Sequence, residues 1–183
     1  MRFGFFTRTE ALTAVNYAVS SLYEGVRVFG KKSKKIIIPS PLDGTVVPVS
    51  GLSDPVFKDG ILGEGIAIMP GSGRITAPVD ALITMMFDTG HAVSLETDTG
   101  VELLIHVGID TVKLKGTHYK IYKTTDDRVE AGDLLMEFDA EAIETDGYET
   151  VTPVVVCNPD NFKSIKFAPE GPIKEGEPLI TIT

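Results

Sequence analysis

Two of the three histidines in the sequence, His91 and His106, stand on the two arms of a pattern that is typical of a β-hairpin. Apolar, β-rich runs lie on both sides of Asp98-Thr99-Gly100, which are common turn residues. A loop with an even number of residues, centred on Asp98-Thr99, would place His91 directly opposite His106, with Cβ atoms about 4.5–5.5 Å apart. An odd loop without a bulge would place the two side chains on opposite faces, because side chains alternate along a strand. The even loop therefore predicts a pair of touching imidazoles.

Such a pair has three uses: it can bind a metal ion, act as nucleophile and base, or share a structural hydrogen bond. Zinc would need two further ligands, or one and a water, and the sequence around His91 and His106 has no H-x-H or H-E-x-x-H arrangement. Nucleophilic use is chemically reasonable, because imidazole is largely neutral near pH 7 and a second imidazole can donate to a developing phosphoryl oxygen. The third histidine, His118, lies in a polar stretch and is predicted to be solvated and without function.

The elements that would carry these histidines are β-strands. From residue 36 onwards, short apolar runs alternate with clusters of Gly, Pro and Asp, which predicts an all-β, antiparallel sandwich or barrel. Short helical turns are expected at 140–147 and 159–166. Two weakly repeated signatures, a Pro-x-Asp turn at 41–43 and 78–80 and a Gly turn at 129–135 and 173–179, predict a duplicated motif of the barrel-sandwich-hybrid kind. Lipoyl and biotinyl carrier domains share these signatures, but the lysine that they need is missing from 79–81.

The first 35 residues have a different character. Apolar residues from Leu12 to Phe29 recur at spacings of three and four, which predicts an amphipathic helix, and a basic linker follows at 31–35. Two alternatives stay open for this helix. It packs on its own domain or self-associates, or residues 9–35 contact a membrane surface or a permease. The sequence thus divides into a helix with its linker (1–35) and a β-domain (36–183).

Charge and cysteine content limit the function further. The net charge of the 183 residues is −9, with +5 in residues 1–35 and −14 in residues 36–183. An acidic body argues against nucleic-acid binding and suits a basic protein partner. The single cysteine, Cys157, excludes an internal disulfide, and the N-terminus has no secretory signal pattern. These features predict a cytoplasmic protein, with a peripheral position at the inner face of the membrane as the alternative.

Two stretches, 89–94 and 100–112, resemble the active-site strands of the glucose-family IIA phosphocarriers of the bacterial phosphoenolpyruvate:sugar phosphotransferase system. The H-x-G-I-D-T-V element that begins at His106 is the specific part of the resemblance, and weaker matches extend it over residues 36–183. The resemblance implies a phosphotransferase with a phosphohistidine intermediate and no cofactor. His106 would accept a phosphoryl group from the small carrier HPr and pass it to a cysteine on the IIB domain of a sugar permease. His91 would steady the transferring group, and Thr89 would orient His91.

The same resemblance implies an alternative and a docking surface. The alternative is a regulatory module that acts on metabolic enzymes or transporters, in which a partner's carboxylate could complete a zinc site with His91 and His106. Unpaired carboxylates at Asp54 and Asp110 would repel a phosphorylated ring. Val93 is expected opposite Leu104 on the histidine face. The full set expected to form an apolar depression with an acidic rim is Asp54, Val56, Phe57, Ile61, Leu62, Phe87, Val93, Leu104, Asp110 and Val112.

Overall fold

The computed structural model describes residues 35–183, and this part of the chain is almost entirely antiparallel β-structure, as the sequence predicts. Two short α-helices interrupt it, α1 (Pro55–Lys58) and α2 (Ala140–Thr145), together with 3-10 helices at Val49–Gly51, Thr111–Leu114 and Pro159–Asn161. The strands are β1 (Ile36–Pro39), β2 (Gly44–Val47), β3 (Glu64–Pro70), β4 (Arg74–Thr76), β5 (Ala81–Met86), β6 (Ala92–Thr97), β7 (Glu102–His106), β8 (Tyr119–Ile121), β9 (Arg128–Val129), β10 (Leu134–Phe138), β11 (Thr152–Val156), β12 (Ile165–Phe167), β13 (Gly171–Ile173) and β14 (Pro178–Ile182).

Three sheets enclose one main core. The largest has eight strands in the order β13-β2-β3-β11-β7-β6-β5-β9, and two three-stranded sheets have the orders β1-β14-β12 and β4-β10-β8. Ile68, Ile105 and Val154 project from one face of the large sheet into this core. There they meet Ile75 and Met136 of the β4-β10-β8 sheet, and all five side chains are completely buried. The predicted amphipathic helix lies outside the described residues. Between residues 35 and 183, no helix is long and apolar enough to cross a membrane.

The internal repeat of the sequence corresponds to two equivalent sets of hydrogen bonds. The carboxylate of Asp43 accepts from the backbone N–H of Glu175 (2.8 Å), and the carboxylate of Asp80 accepts from that of Ala131 (2.9 Å). In both cases the donor is the residue before the glycine of the Gly turn. The strand pairings repeat too, since Gly44 faces Ile173 as Ala81 faces Val129. Each copy therefore uses its aspartate to fasten one turn to a turn far away in the chain.

The second face of the large sheet carries a smaller apolar cluster. Because side chains alternate along a strand, the neighbours of the core residues project to this face. Ala67 of β3, Ala92 of β6, Leu104 of β7 and Val155 of β11 form the base of the cluster, and Phe57 of α1 packs against it. This face, which is only partly covered by chain, is the one on which His106 lies.

The β6–β7 hairpin differs from the predicted register. Ala92, not His91, lies opposite His106, and the loop has three residues, 98–100, closed by Thr97 N–H donating to the Val101 carbonyl (3.0 Å). Gly100 has φ = +78°, the left-handed conformation with which a three-residue hairpin loop ends. The even loop was therefore wrong.

The shift of register corrects one member of the predicted docking surface. Val93 lies opposite Ile105 rather than Leu104, and its side chain projects into the main core, where it is completely buried. Val93 is therefore a core residue and does not line the histidine face.

Candidate active site

The loop between β5 and β6, residues 87–91, brings His91 to the histidine face. Phe87 N–H donates to the Ala92 carbonyl (3.2 Å) and Gly90 N–H donates to the Phe87 carbonyl (2.7 Å), which closes a four-residue turn. Gly90 has φ = +66°, in the left-handed region that glycine adopts without strain. His91 is the last residue of the loop and precedes the first residue of β6, so the alternation of side chains along the strand does not determine where its ring points.

The two imidazoles consequently touch in spite of the odd hairpin loop. Their centroids are 4.9 Å apart and their planes are inclined by 81°, an edge-to-face contact. The backbones are also joined, because Val107 N–H donates to the His91 carbonyl at 2.7 Å. The predicted pair thus exists, and the β5–β6 turn is what produces it.

The hydrogen bond of His106 fixes which of its nitrogens is free. Nδ1 lies 2.7 Å from the carbonyl oxygen of Gly108. A carbonyl oxygen only accepts, so Nδ1 carries the proton of the neutral ring, and Nε2 keeps its lone pair. Gly108 has φ = +79°, and a Cβ there would lie 2.4 Å from Thr111 Cγ2 and 2.5 Å from the Glu149 carbonyl oxygen. Only glycine fits this position.

Thr89 holds the ring of His91. Its hydroxyl oxygen lies 2.5 Å from His91 Nδ1. A hydroxyl can donate or accept; when it donates, the proton of neutral His91 is on Nε2 and can be offered to a third group. His91 is only 5% exposed, and burial, with a smaller contribution from the charge of a protonated His106, lowers its pKa from 6.5 to about 3. His91 is therefore neutral at physiological pH.

His106 is partly exposed and has a more balanced environment. Burial lowers its pKa, whereas the Gly108 carbonyl and the carboxylates of Asp54 and Asp110 raise it. The net direction is downward, so the neutral ring with a free Nε2 dominates at pH 7. A neutral imidazole with a free lone pair is a nucleophile.

Aromatic and aliphatic side chains surround the pair. Phe57 contacts His106 edge-on at a centroid distance of 5.1 Å, and Phe87 contacts His91 at 5.1 Å. Leu104 lies on the same face two residues before His106 and is 5% exposed. An apolar surround excludes water and strengthens the few polar interactions that remain.

The other predicted apolar members of the docking surface lie in helix α1, in the residues just after it and in the 3-10 helix Thr111–Leu114. Ile61 is 56% exposed and Val112 is 50% exposed, which is unusual for large apolar side chains. Val56 and Leu62, within and just after helix α1, are partly buried. Four of the predicted apolar residues belong to the apolar cluster of the histidine face, namely Phe57, Leu62, Phe87 and Leu104, and Ile61 and Val112 are unusually accessible.

The two carboxylates on this face have partners, in contrast to the prediction. Asp54 is the N-cap of α1 and accepts from Val56 N–H at 2.8 Å. Asp110 forms an exposed ion pair with Lys113 at 2.6 Å. Both act on His106 through space nonetheless, since both raise its pKa. Their description as unpaired was wrong, and the predicted repulsion of a phosphorylated ring stays a prediction.

His118 differs in part from the prediction. Its Nε2 is 2.9 Å from a carboxylate oxygen of Asp146, and the side chain is 23% exposed rather than fully solvated. Cys157 is partly buried, and burial, followed by the nearby Glu102, raises the pKa of its thiol to about 12.

Sequence reasoning missed three residues that support the histidines. The carbonyl of Gly108 accepts from His106, and the hydroxyls of Thr111 (2.6 Å) and Tyr119 (3.1 Å) both donate to the carbonyl of Val107. A glycine two residues after a candidate histidine was a readable signal for the first. The other two contacts depend on how a 3-10 helix and β8 fold back on β7, which the spacing of residues does not reveal.

The pair alone does not make a complete metal site. Residues 35–183 contain no cluster of three or more His, Cys, Asp or Glu side chains that could hold a metal ion. His91 and His106 could supply two of the four ligands that zinc prefers, and the rest would have to come from water or another molecule.

Comparisons with known proteins all indicate the same family. The sequence profile of the family described as "phosphoenolpyruvate-dependent sugar phosphotransferase system, EIIA 1" matches residues 36–162. The glucose-specific EIIA component of Buchnera aphidicola is 44% identical over 148 residues, 81% of this chain and 91% of that protein. That of Oceanobacillus iheyensis is 35% identical over 147 residues, 80% of this chain and 89% of that protein.

Longer proteins and a solved structure are also similar to this chain. The beta-glucoside-specific EIIBCA component of Dickeya chrysanthemi is 42% identical over 140 residues, which are 76% of this chain but 22% of that protein. The chain thus spans about a fifth of the length of the EIIBCA relatives that it matches. The solved structure of the glucose permease IIA from Mycoplasma capricolum superimposes with a TM-score of 0.76 at 32% identity, over 81% of this chain and 96% of that one.

Proposed function

Because the chain belongs to the EIIA 1 family of the phosphoenolpyruvate-dependent sugar phosphotransferase system, we propose that it carries a phosphoryl group on His106 during sugar uptake. The donor is the phosphohistidine of HPr, and the acceptor is the cysteine of a IIB domain of a sugar permease. One observation carries the proposal: two neutral imidazoles touch at the centre of a partly open apolar face, and the Nε2 of His106 has a free lone pair.

The bond changes follow from the protonation of His106. Nε2 attacks the phosphorus of the donor, the donor's P–N bond breaks, and its electron pair returns to the donor ring. Because Nδ1 keeps its proton, the phosphorylated ring of His106 is positively charged, and the Gly108 carbonyl stabilises that proton. A positively charged ring is a good leaving group. When a IIB thiolate attacks the phosphorus, the P–N bond to Nε2 breaks and the neutral ring is restored.

His91 acts on the phosphoryl group and not on a proton of His106. His91 is neutral, and when Thr89 donates to its Nδ1 the ring proton lies on Nε2, from which it can donate to a phosphoryl oxygen. Phe57 and Phe87, which flank the rings, keep water from the phosphorus and so protect the intermediate from hydrolysis.

The partner surfaces follow from charge and exposure. The β-domain carries −14 in residues 36–183, and Ile61 and Val112, two predicted members of the docking surface, are exposed. An apolar face on an acidic body fits a basic partner that buries apolar side chains around its own reacting group. Transfer of this kind takes place on the cytoplasmic side of the membrane. A membrane or permease contact of residues 9–35, and the division at residue 35, stay predictions from the sequence alone.

Phosphate labelling tests the proposal. The full chain is incubated with phosphoenolpyruvate, enzyme I and HPr, and the acid-labile phosphate is located in the protein. We expect that His106→Gln abolishes labelling and that His91→Gln still accepts phosphate but transfers it slowly to a IIB domain. His118→Gln is the matched control and labels as the unchanged chain does. Label that persists in His106→Gln would refute the assignment.

A further inference from the structure

The peptide group between Val107 and Gly108 is held at both ends. The Val107 carbonyl accepts from the hydroxyl of Thr111 at 2.6 Å and from that of Tyr119 at 3.1 Å. The Gly108 N–H donates to the Val151 carbonyl at 3.1 Å. A peptide group is planar, so bonds at its oxygen and at its nitrogen together fix its orientation.

That orientation fixes one side of Gly108, whose carbonyl is the next along the chain. The oxygen of Gly108 accepts from His106 Nδ1, and Gly108 has φ = +79°. Glycine has the widest backbone freedom of any residue, so its own conformational preference does not aim this carbonyl. The restraint comes from outside, because the peptides on both sides of Gly108 are held. Ile109 N–H, in the same peptide as the Gly108 carbonyl, donates to the Glu149 carbonyl at 3.0 Å, and the peptide between Val107 and Gly108 is held on the other side.

Both hydroxyls are well placed for this task. Thr111 is completely buried and lies in the 3-10 helix that follows Gly108. Burial raises the pKa of Tyr119, which keeps its hydroxyl protonated as a donor. The ring of Tyr119 also packs near Phe138, with a centroid distance of 6.5 Å, which limits the movement of the hydroxyl.

Tyr119 is close to the second histidine as well. A Cβ at Gly90, the residue before His91, would lie 2.9 Å from Tyr119 Cβ, so the two backbones are in close contact. The Val107 N–H in turn donates to the His91 carbonyl. Tyr119 therefore contacts the segments that carry both imidazoles.

We propose that Thr111 and Tyr119 are positioning residues that set the Nδ1–H tautomer of His106 through the peptide between Val107 and Gly108. The importance of this tautomer rests on the proposed function, because only a ring with a free Nε2 can take the phosphoryl group in the geometry described. A purely structural role, in which the hydroxyls merely satisfy a buried carbonyl, would change stability and leave the tautomer as it is.

The test measures the tautomer directly. Ring-nitrogen chemical shifts of the free, full-length chain labelled with ¹⁵N-histidine give the populations of the two neutral forms of His106. We expect Thr111→Val to raise the Nε2–H population relative to Nδ1–H by about threefold to tenfold, the equivalent of one intramolecular hydrogen bond. Thr111→Ser, which keeps the hydroxyl, restores the original ratio. Tyr119→Phe shifts the ratio in the same direction by a smaller factor because its bond is longer.

Kinetics and a control complete the experiment. Phosphorylation by HPr should lose kcat in the order Thr111→Val, then Tyr119→Phe, with KM unchanged, because these residues position His106 and do not dock the partner. Tyr122→Phe is the matched control, since its hydroxyl bonds the exposed carboxylate of Glu137 instead. The inference is overturned if Tyr119→Phe, and Thr111→Val if it folds, have the wild-type tautomer ratio. Failure of the unchanged chain to be phosphorylated would refute the proposed function and leave the tautomer measurement valid.

Discussion

Burial of His91 as a neutral ring makes the stability of the protein depend on pH. In the unfolded chain this imidazole takes a proton near its ordinary pKa of 6.5, whereas in the folded protein it does so only near 3. Between these values the unfolded state binds more protons, so the free energy of unfolding falls as the pH is lowered. The contribution is fully present above pH 6.5 and is lost progressively as the pH falls towards 3.

The size of the effect follows from the two pKa values. Lowering the pH from 7 to 5 should cost about 2 kcal/mol of unfolding free energy through His91 alone, and the complete shift corresponds to roughly 5 kcal/mol. His106, whose pKa is also lowered, adds a loss of the same sign. The His91→Gln variant isolates the first contribution: between pH 7 and 5 it should lose about 2 kcal/mol less than the unchanged chain.

Urea unfolding followed by far-ultraviolet circular dichroism measures this quantity, which suits a chain that has no tryptophan. Thr89→Val is the control, because it removes the hydroxyl partner of His91 and keeps the imidazole buried. Since burial and not the hydroxyl lowers the pKa, this variant should keep the pH dependence of the unchanged chain. Equal losses of stability from pH 7 to 5 in His91→Gln and the unchanged chain would refute the reasoning.

Two further predictions concern residues around the site. Gly108→Ala places a Cβ within 2.5 Å of other atoms at φ = +79°, so it should lose at least about 2 kcal/mol of unfolding free energy in urea; a loss below 0.5 kcal/mol would mean that the turn adapts easily. Cys157, whose thiol has a pKa of about 12, should react with a colorimetric thiol reagent at pH 8 at least about a hundredfold more slowly in the native protein than in urea. Equal rates in the two conditions would contradict the buried, protonated thiol.

The repeat is the part of the fold that the sequence predicted in greatest detail. Pro-x-Asp and Gly-turn signatures are local, and a turn aspartate accepts backbone N–H groups in a stereotyped way. The sequence could therefore indicate that Asp43 and Asp80 play equivalent roles. It could not indicate that their donors would be Glu175 and Ala131, far along the chain, since local turn chemistry does not determine which turns meet.

The hairpin shows where such reasoning fails. A two-residue type I′ loop at 98–99 needs positive φ at both residues, whereas the observed three-residue loop needs it only at its last residue, here Gly100 with φ = +78°. The predicted register placed Val93 beside Leu104 on the histidine face, whereas the observed register turns Val93 into the main core and leaves Leu104 in place. The imidazoles met nonetheless, because His91 belongs to the preceding turn. The contact between the two imidazoles was thus predicted correctly from an incorrect register. The backbone hydrogen bonds of residues 87–92 are what explain it.

The contacts around His106 restrict how its Nε2 can be approached, which matters for the proposed phosphoryl transfer. Gly108 occupies the Nδ1 side, and Phe57 and His91 contact the ring. In the proposed function, donor and acceptor must consequently use the same opening in succession, and no productive complex of all three proteins is expected. The rate of repeated transfer then depends on how quickly each partner protein dissociates, so a partner that bound this face very tightly would act as an inhibitor. Modest affinity is a working requirement of such a relay.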